Sequence, residues 1–316
     1  MLLTILAHVL PPADPSGNVA QGWELWAQWS WANPLLLIPM ALGVLYARGL
    51  RRWPKPRRLK AWAPYSFYTG LALVVFSLAG PLDAIADDLF SMHMVQHMML
   101  MMIGPPLILL GAPTTPILKG LPRSARKSLV APLMRSPAAH AVYRFFAHPV
   151  TIFLLYTINL WLWHFYGNAY ETAAQSMWVH ILEHWTFIIT ASLFWWVVID
   201  PRPMRSNLSY LTRMIFIGVT MLQKVLLGAF ITYRHDALYA YYAAKPRLWG
   251  LSPLYDQHLA AMWMWIGGTL ILLIAIVVVM MVWLEKEEKK SRDREAKEDA
   301  ARAAAMGGSL PGALRP

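Results

Sequence analysis

Seven apolar runs, separated by short polar or basic segments, leave this chain few ways to fold. They are Asn33–Ala47, with a tryptophan-rich lead-in from Trp23, then Trp62–Gly80, Leu89–Leu110, Pro149–Tyr166, Met177–Ile199, Leu211–Tyr233 and Leu259–Leu284. Each holds about 15–26 residues, against the ~20 that an α-helix needs to cross ~30 Å of hydrocarbon. Lipid offers the backbone no water to bond, so an isolated span must be a helix, and no alternating pattern supports a β-barrel. The composition agrees: 57% of residues are hydrophobic and 14% charged, where a soluble domain holds about 45–50% and ~25%. The expected fold is an all-α integral membrane protein, a seven-transmembrane-helix bundle over residues 23–284.

Lysine and arginine set the expected orientation. The loop after the first run holds Arg48, Arg51, Arg52, Lys55, Arg57, Arg58 and Lys60, and the loop after the third holds Lys119, Arg123, Arg126, Lys127, Arg135 and Arg144. Arg202 and Arg205 follow the fifth run, with Arg213 just inside the sixth. The N-terminal segment and the loops after runs two and four have none, while the last outer loop has Arg234, Lys245 and Arg247. The positive-inside rule then places the N-terminus outside and the C-terminus in the cytoplasm. The net charge of +11 is concentrated in these loops, so it describes topology and not a nucleic-acid surface.

Residues 1–22 are expected to form an outer-side interfacial segment, since Met1–Leu10 is apolar, lacks a basic leader and stops at Pro11-Pro12. Residues 285–316 are expected to form a charged cytoplasmic tail, helical from Glu285 to Lys297 and disordered from Gly307 onward. Trp53, Trp62, Trp195, Trp196 and Trp283 fall near the inner boundary, and Trp23, Trp26, Trp161, Trp163, Trp178 and Trp263 near the outer one, as an aromatic belt. Gly104-Pro105-Pro106 is expected to kink or end regular helix, because proline removes a donor and clashes with the preceding turn. Cysteine is absent. Disulfides and thiolate sites are thereby excluded, and any metal must use imidazole, thioether, carboxylate or carbonyl.

Two of the runs carry a histidine pair at i, i+4 spacing: His93-Met-Val-Gln-His97 and His180-Ile-Leu-Glu-His184. Residues four apart share a helix face, so each run presents two imidazoles as one unit. At 1.5 Å per residue, His93 and His97 lie roughly 6 and 12 Å below the outer boundary, and His180 and His184 about 5 and 11 Å below it. His164 closes the fourth run, Asp256-Gln257-His258 leads into the seventh, and Lys224 lies in the outer half of the sixth. Independent helices thus converge on one shallow outer layer. A lone histidine at a helix end, such as His164 or His258, is ordinarily an interfacial or hydrogen-bonding residue. A pair at hydrocarbon depth is costly to satisfy and points to a functional site. Met94 and Met98 flank the first pair and are either core filler or thioether ligands. Glu183 fits a supporting partner, a ligand or a proton carrier. Lys224 fits a charge partner for Asp256 or Glu183. His140 and His148 lie toward the inner side as structural residues, and His8 and His235 face solvent. Imidazole with optional thioether and no thiolate suits copper first, then zinc or iron.

The stretch from His93 to His97, followed by Gly104-Pro105-Pro106-Leu107 and Leu110-Gly111-Ala112-Pro113, resembles the CtaG-type cytochrome c oxidase assembly factor family. So do Trp163-His164, His180-x-x-Glu183-His184 running into Phe194-Trp195-Trp196, and Asp256-Gln257 leading to Met264-Trp265. These motifs follow the family order from about residue 20 to residue 284. Two positions depart from it: Tyr166 stands where the family often has proline, and Ala261 where glycine is usual. The resemblance implies a seven-helix protein of the bacterial plasma (inner) membrane that helps assemble a copper-containing oxidase and deliver copper to its catalytic subunit. It implies His93, His97, His164, His180 and His184 as copper ligands, with Glu183 and Asp256 in support. A terminal oxidase subunit and a periplasmic copper donor are the implied partners, and no enzymatic activity is expected.

Other function classes compete. Paired-helix histidines also ligate haem, although pairs only one turn apart suit one compact centre better than stacked haems. A haem- or quinone-linked redox protein is therefore the second reading. His180-x-x-Glu183-His184 also matches a zinc-hydrolase pattern with the glutamate as base, but its counterpart carries Gln96 at that position. A transporter would fit Lys224 and the broken third run, yet inverted repeats and midplane charges are missing.

Overall fold

The computed structural model describes residues 23–307 apart from 54–58, 166–167, 202, 204, 205 and 207. The expected interfacial segment at 1–22, the end of the fourth run at Tyr166 and the terminus from 308 onward lie outside the described residues. Among the described residues every regular element is helical. Several of the helices begin where serine or proline licenses them. Ser136, Ser209 and Ser252 each accept a backbone N–H with the side chain at a helix start, satisfying donors that the helix leaves orphaned.

In chain order the main helices are α1 (Leu37–Arg51), α2 (Ala63–Ala79), α3 (Pro81–Ala86), α4 (Phe90–Met98), α5 (Gly104–Leu110) and α6 (Thr114–Gly120). They continue as α7 (Pro137–Phe146), α8 (Pro149–Phe165), α9 (Ala169–Gln175), α10 (Met177–Ile199), α11 (Tyr210–Thr232), α12 (Pro253–Met262) and α13 (Gly268–Gly307). Among the described residues, five stretches are long and apolar enough to cross a membrane: Pro34–Arg51, Phe90–Leu110, Met177–Ile199, Tyr210–Thr232 and Pro253–Ala303. The pair α7 and α8, bent by 61° at their junction, makes a sixth if counted as one span. The run expected as Trp62–Gly80 folds as α2, an apolar helix of 17 residues. By length and composition the count is therefore five or six where the sequence predicts seven. The shortfall arises because α2, which stops at Gly80-Pro81, holds only 17 residues, and α8 passes only when joined to α7.

Two of the long helices are interrupted by a π-helical turn, Met99–Ile103 between α4 and α5 and Trp263–Gly267 between α12 and α13. The first lies just ahead of Gly104-Pro105-Pro106, where proline cannot continue a regular ladder. Trp195 Nε1 donates to the Met101 carbonyl at 2.9 Å, so an acceptor within the irregular turn is satisfied from α10. Trp195 is thus a buried structural donor and not a belt residue. The same holds for Trp163, which donates to Thr186 Oγ1 at 2.9 Å. Trp26, Trp62, Trp178 and Trp263 are exposed, as a belt requires.

Close crossings knit the bundle. A Cβ on Gly120 would sit 2.0 Å from the Leu45 carbonyl oxygen, so α6 meets α1 at a distance only glycine allows. Arg213 of α11 pairs with Asp200 at 2.8 Å, fixing the end of α10 to the start of α11. The main core cluster runs from Phe90 and Met94 through Tyr156, Phe187 and Phe194 to Leu227 and Leu272. The histidine-bearing helices α4 and α10 flank this core, with α8, α11 and α12 closing around them.

Candidate metal centre

The i, i+4 spacing turns both imidazoles of α4 and both of α10 toward one interior point. Ring centroids are 4.3 Å apart for His93 and His97 and 4.2 Å for His180 and His184. Across the helices, His93 lies 5.3 Å from His180 and 5.9 Å from His184, and His97 lies 5.2 Å from His184. Glu183 joins them, with Oε1 3.9 Å from His97 Nε2. Among the described residues, two groups bring their ligand atoms within 4.8 Å of one another: His93, His180 and His184, and His93, His97 and Glu183.

All of these groups are buried except His180, which is half-buried. Burying a polar atom without a hydrogen bond is costly. Yet the Nε2 atoms of His93, His97, His164, His180 and His184, and both oxygens of Glu183, have no hydrogen-bond partner. Without His164, the atoms of the two groups make a donor set of imidazole nitrogens and a carboxylate, which fits a borderline cation.

His164 stands one step away. Its Nδ1 bonds the Leu160 carbonyl at 2.8 Å, which orients Nε2 inward. It shares a small cavity of about 20 Å³ with His97, Met94, Met98, Met101, Met264 and Lys224. Met94 and Met98 thus line the side of the layer that faces Lys224. Lys224 is buried there, and no ion pair joins it to Asp256 or Glu183 among the described residues.

Asp256 lies apart from the imidazoles and instead holds α4 in place. Its carboxylate accepts from the Phe90 N–H at 2.7 Å and the Ser91 N–H at 3.1 Å, capping the histidine-bearing helix from α12. His258 also lies outside the layer, with Nε2 3.3 Å from the Arg234 carbonyl. Gln257, next to it, ties down the loop between α11 and α12 by accepting from Leu238 N–H at 2.6 Å. Of the remaining histidines, His140 Nδ1 bonds the Ser136 carbonyl and His235 is exposed.

Three groups escaped the sequence reading. Tyr170, Tyr239 and Tyr242 form a roof over the layer: Tyr170 and Tyr242 hydroxyls meet at 3.3 Å, Tyr242 donates to Ala86 O, and Tyr239 reaches His164 O at 3.5 Å. Only the tyrosine-dense stretch at 239–242 hinted at it. Gln96 donates to Ser77 O at 2.6 Å and Asp83 Oδ1 at 2.7 Å, anchoring α4 on α2 and α3. Burial pushes the Asp83 carboxyl up to about 7, although the Gln96 hydrogen bond acts in the opposite direction.

Known proteins set this geometry in a family. The uncharacterized protein Mb0105 of Mycobacterium bovis is 30% identical over 272 residues, covering 82% of this chain and 39% of its own length. The uncharacterized protein MT0111 of Mycobacterium tuberculosis gives the same figures. The uncharacterized protein ML1998 of Mycobacterium leprae is 28% identical over 253 residues, covering 75% of this chain and 36% of its own. The chain spans about two-fifths of the length of these relatives. No solved structure matches it. The family described as cytochrome c oxidase caa3 assembly factor matches residues 44–286. With its several apolar helices, the chain is a multi-pass protein of the bacterial membrane, and it belongs to the caa3 cytochrome c oxidase assembly factor family.

Proposed function

We propose that this assembly factor binds copper at the His93–His97–His180–His184–Glu183 layer and passes it to the catalytic subunit of its client oxidase. The observation that carries the reading is the convergence of unpartnered imidazole Nε2 atoms from two helices, beside an unpartnered carboxylate. Copper is the cargo here, not a resident cofactor, and the chain acts as a metal chaperone and not as an enzyme. His164, Met94 and Met98 extend the site on its deeper side, where thioethers suit a cuprous ion. In this reading seven spans place the N-terminus outside and the C-terminus in the cytoplasm, with α2 and α8 as short crossings. The layer then lies near the outer face, within reach of a periplasmic copper donor.

The cavity beside His97 and His164, at about 20 Å³, has room for an ion or a water and not for a porphyrin or a peptide. That favours metal handling over the haem and hydrolase readings. Elemental analysis of the purified protein tests the proposal. Wild type should retain copper after a mild chelator wash, and His93→Ala and the double variant His93→Ala/His184→Ala should each lose most of it. Equal copper in all three would defeat it.

A further inference from the structure

The two ligand groups in the layer share one member. His93 belongs both to the set with His180 and His184 and to the set with His97 and Glu183, each within 4.8 Å. Resting on the copper-handling reading above, we infer that the centre offers two alternative positions for a single ion, and that they select ions of different charge. The first position is built from three neutral imidazoles. The second is built from two imidazoles and a carboxylate.

The argument from sharing is one of lone pairs. His93 Nε2 is the unpartnered atom that faces the centre, and an imidazole nitrogen has one lone pair to give. An ion held at one position therefore deprives the other of a ligand. Occupancy is one ion per chain, and His93 is the pivot between the positions.

The argument from charge is one of desolvation. Glu183 is fully buried, and His93 and His184 are nearly so. A divalent cation moved into such surroundings needs anionic compensation, which only the position containing Glu183 supplies. A monovalent coinage-metal ion carries half the charge and accepts few, neutral donors, so three imidazoles suffice. The positions also differ in access. His180, half-buried, lies one helical turn nearer the start of α10 than His184, whereas His97 lies one turn further along α4 than His93 and borders the methionine-lined cavity. The three-imidazole position is the outer one, and the carboxylate position leads inward.

Ag(I), a redox-inert monovalent probe, and Co(II), whose visible spectrum reports its ligands, test this on the full chain in detergent. Wild type should take up one Ag(I) or one Co(II), and prior loading with Ag(I) should block Co(II). Glu183→Gln should weaken Co(II) by about tenfold or more while leaving Ag(I) nearly unchanged, and His180→Gln should do the reverse. Simultaneous uptake of both ions by wild type overturns the inference without any variant. So does equal weakening of both ions in each variant. Wild type that binds neither ion defeats the copper-handling reading itself, and the two failures are thereby told apart.

Discussion

The helices α4 and α10 carry the same pattern, two histidines four residues apart with a polar residue just before the second, and they use that polar residue in opposite ways. On α4, Gln96 turns away from the centre and spends its amide on Ser77 and Asp83, so it fastens the helix to its neighbours. On α10, Glu183 makes no hydrogen bond with its carboxylate, which lies against His97. One helix is anchored by its intervening residue, and the other contributes that residue to the site. Equal spacing therefore does not mean equal role, and the partner of the intervening side chain tells the two apart.

Four measurements would break or sharpen that comparison. The largest effect belongs to His93→Ala, which removes the imidazole common to both ligand sets. Metal affinity measured by competition with a chelator should fall more than ~100-fold, beyond what loss of an outer partner causes. Gln96→Glu, which copies the α10 pattern onto α4, comes next. It would replace a donor with a carboxylate against Ser77 O and Asp83, costing about 2–4 kcal/mol through unmet acceptors and like charge. Thermal unfolding in detergent should show the loss, and an unchanged Tm would mean that Gln96 is no anchor. Asp256→Ala should cost ~1–2 kcal/mol by uncapping α4, and metal affinity should fall only as far as the helix shifts. The reciprocal copy, Glu183→Gln, should raise the Tm of chelator-treated protein by a small amount, since it removes an unpartnered buried carboxylate.

Asp83 adds a pH test of the anchor. Its folded pKa of about 7 lies above the ordinary aspartate value of about 3.9. Below that lower value the group is protonated in both states, and its favourable contribution is fully present. As pH rises toward 7, the unfolded chain releases its proton first, so stability drains away through this window. Asp83→Asn should therefore gain in Tm relative to wild type between about pH 4 and pH 7, and the gain should level off above that. A constant difference would show that Asp83 titrates normally.

Much of this was legible from residue order. Apolar runs located most long helices to within a few residues, although the last extends from Pro253 to Ala303 where the apolar run covered Leu259–Leu284. The i, i+4 spacing identified which histidines share a face. Crossing number was not legible, because α2 and α8 are short enough for length alone to leave them undecided. The supporting residues were harder still. Asp256 caps a helix 165 positions away, and Gln96 meets Asp83 through the packing of α4 on α3. Such bonds depend on tertiary approach, and no local pattern records them. Trp163 and Trp195 illustrate the same limit, since boundary position suggests a belt while their indoles are committed inside.

The π-helical turn at Met99–Ile103 has a consequence for how the chain tolerates change in length. One extra residue in a turn rotates everything beyond it by about 100° relative to a regular helix. Upstream, the histidine pair faces α10; downstream, Gly104 faces Gly70 of α2, where an added Cβ would come within 2.8 Å of Val74. Both orientations hold only while the turn keeps its odd residue. Deleting one residue between Met99 and Ile103 would leave every ligand in the sequence and set the two halves of the helix at odds, so the interval between His97 and Gly104 is as much a part of the centre as the histidines are.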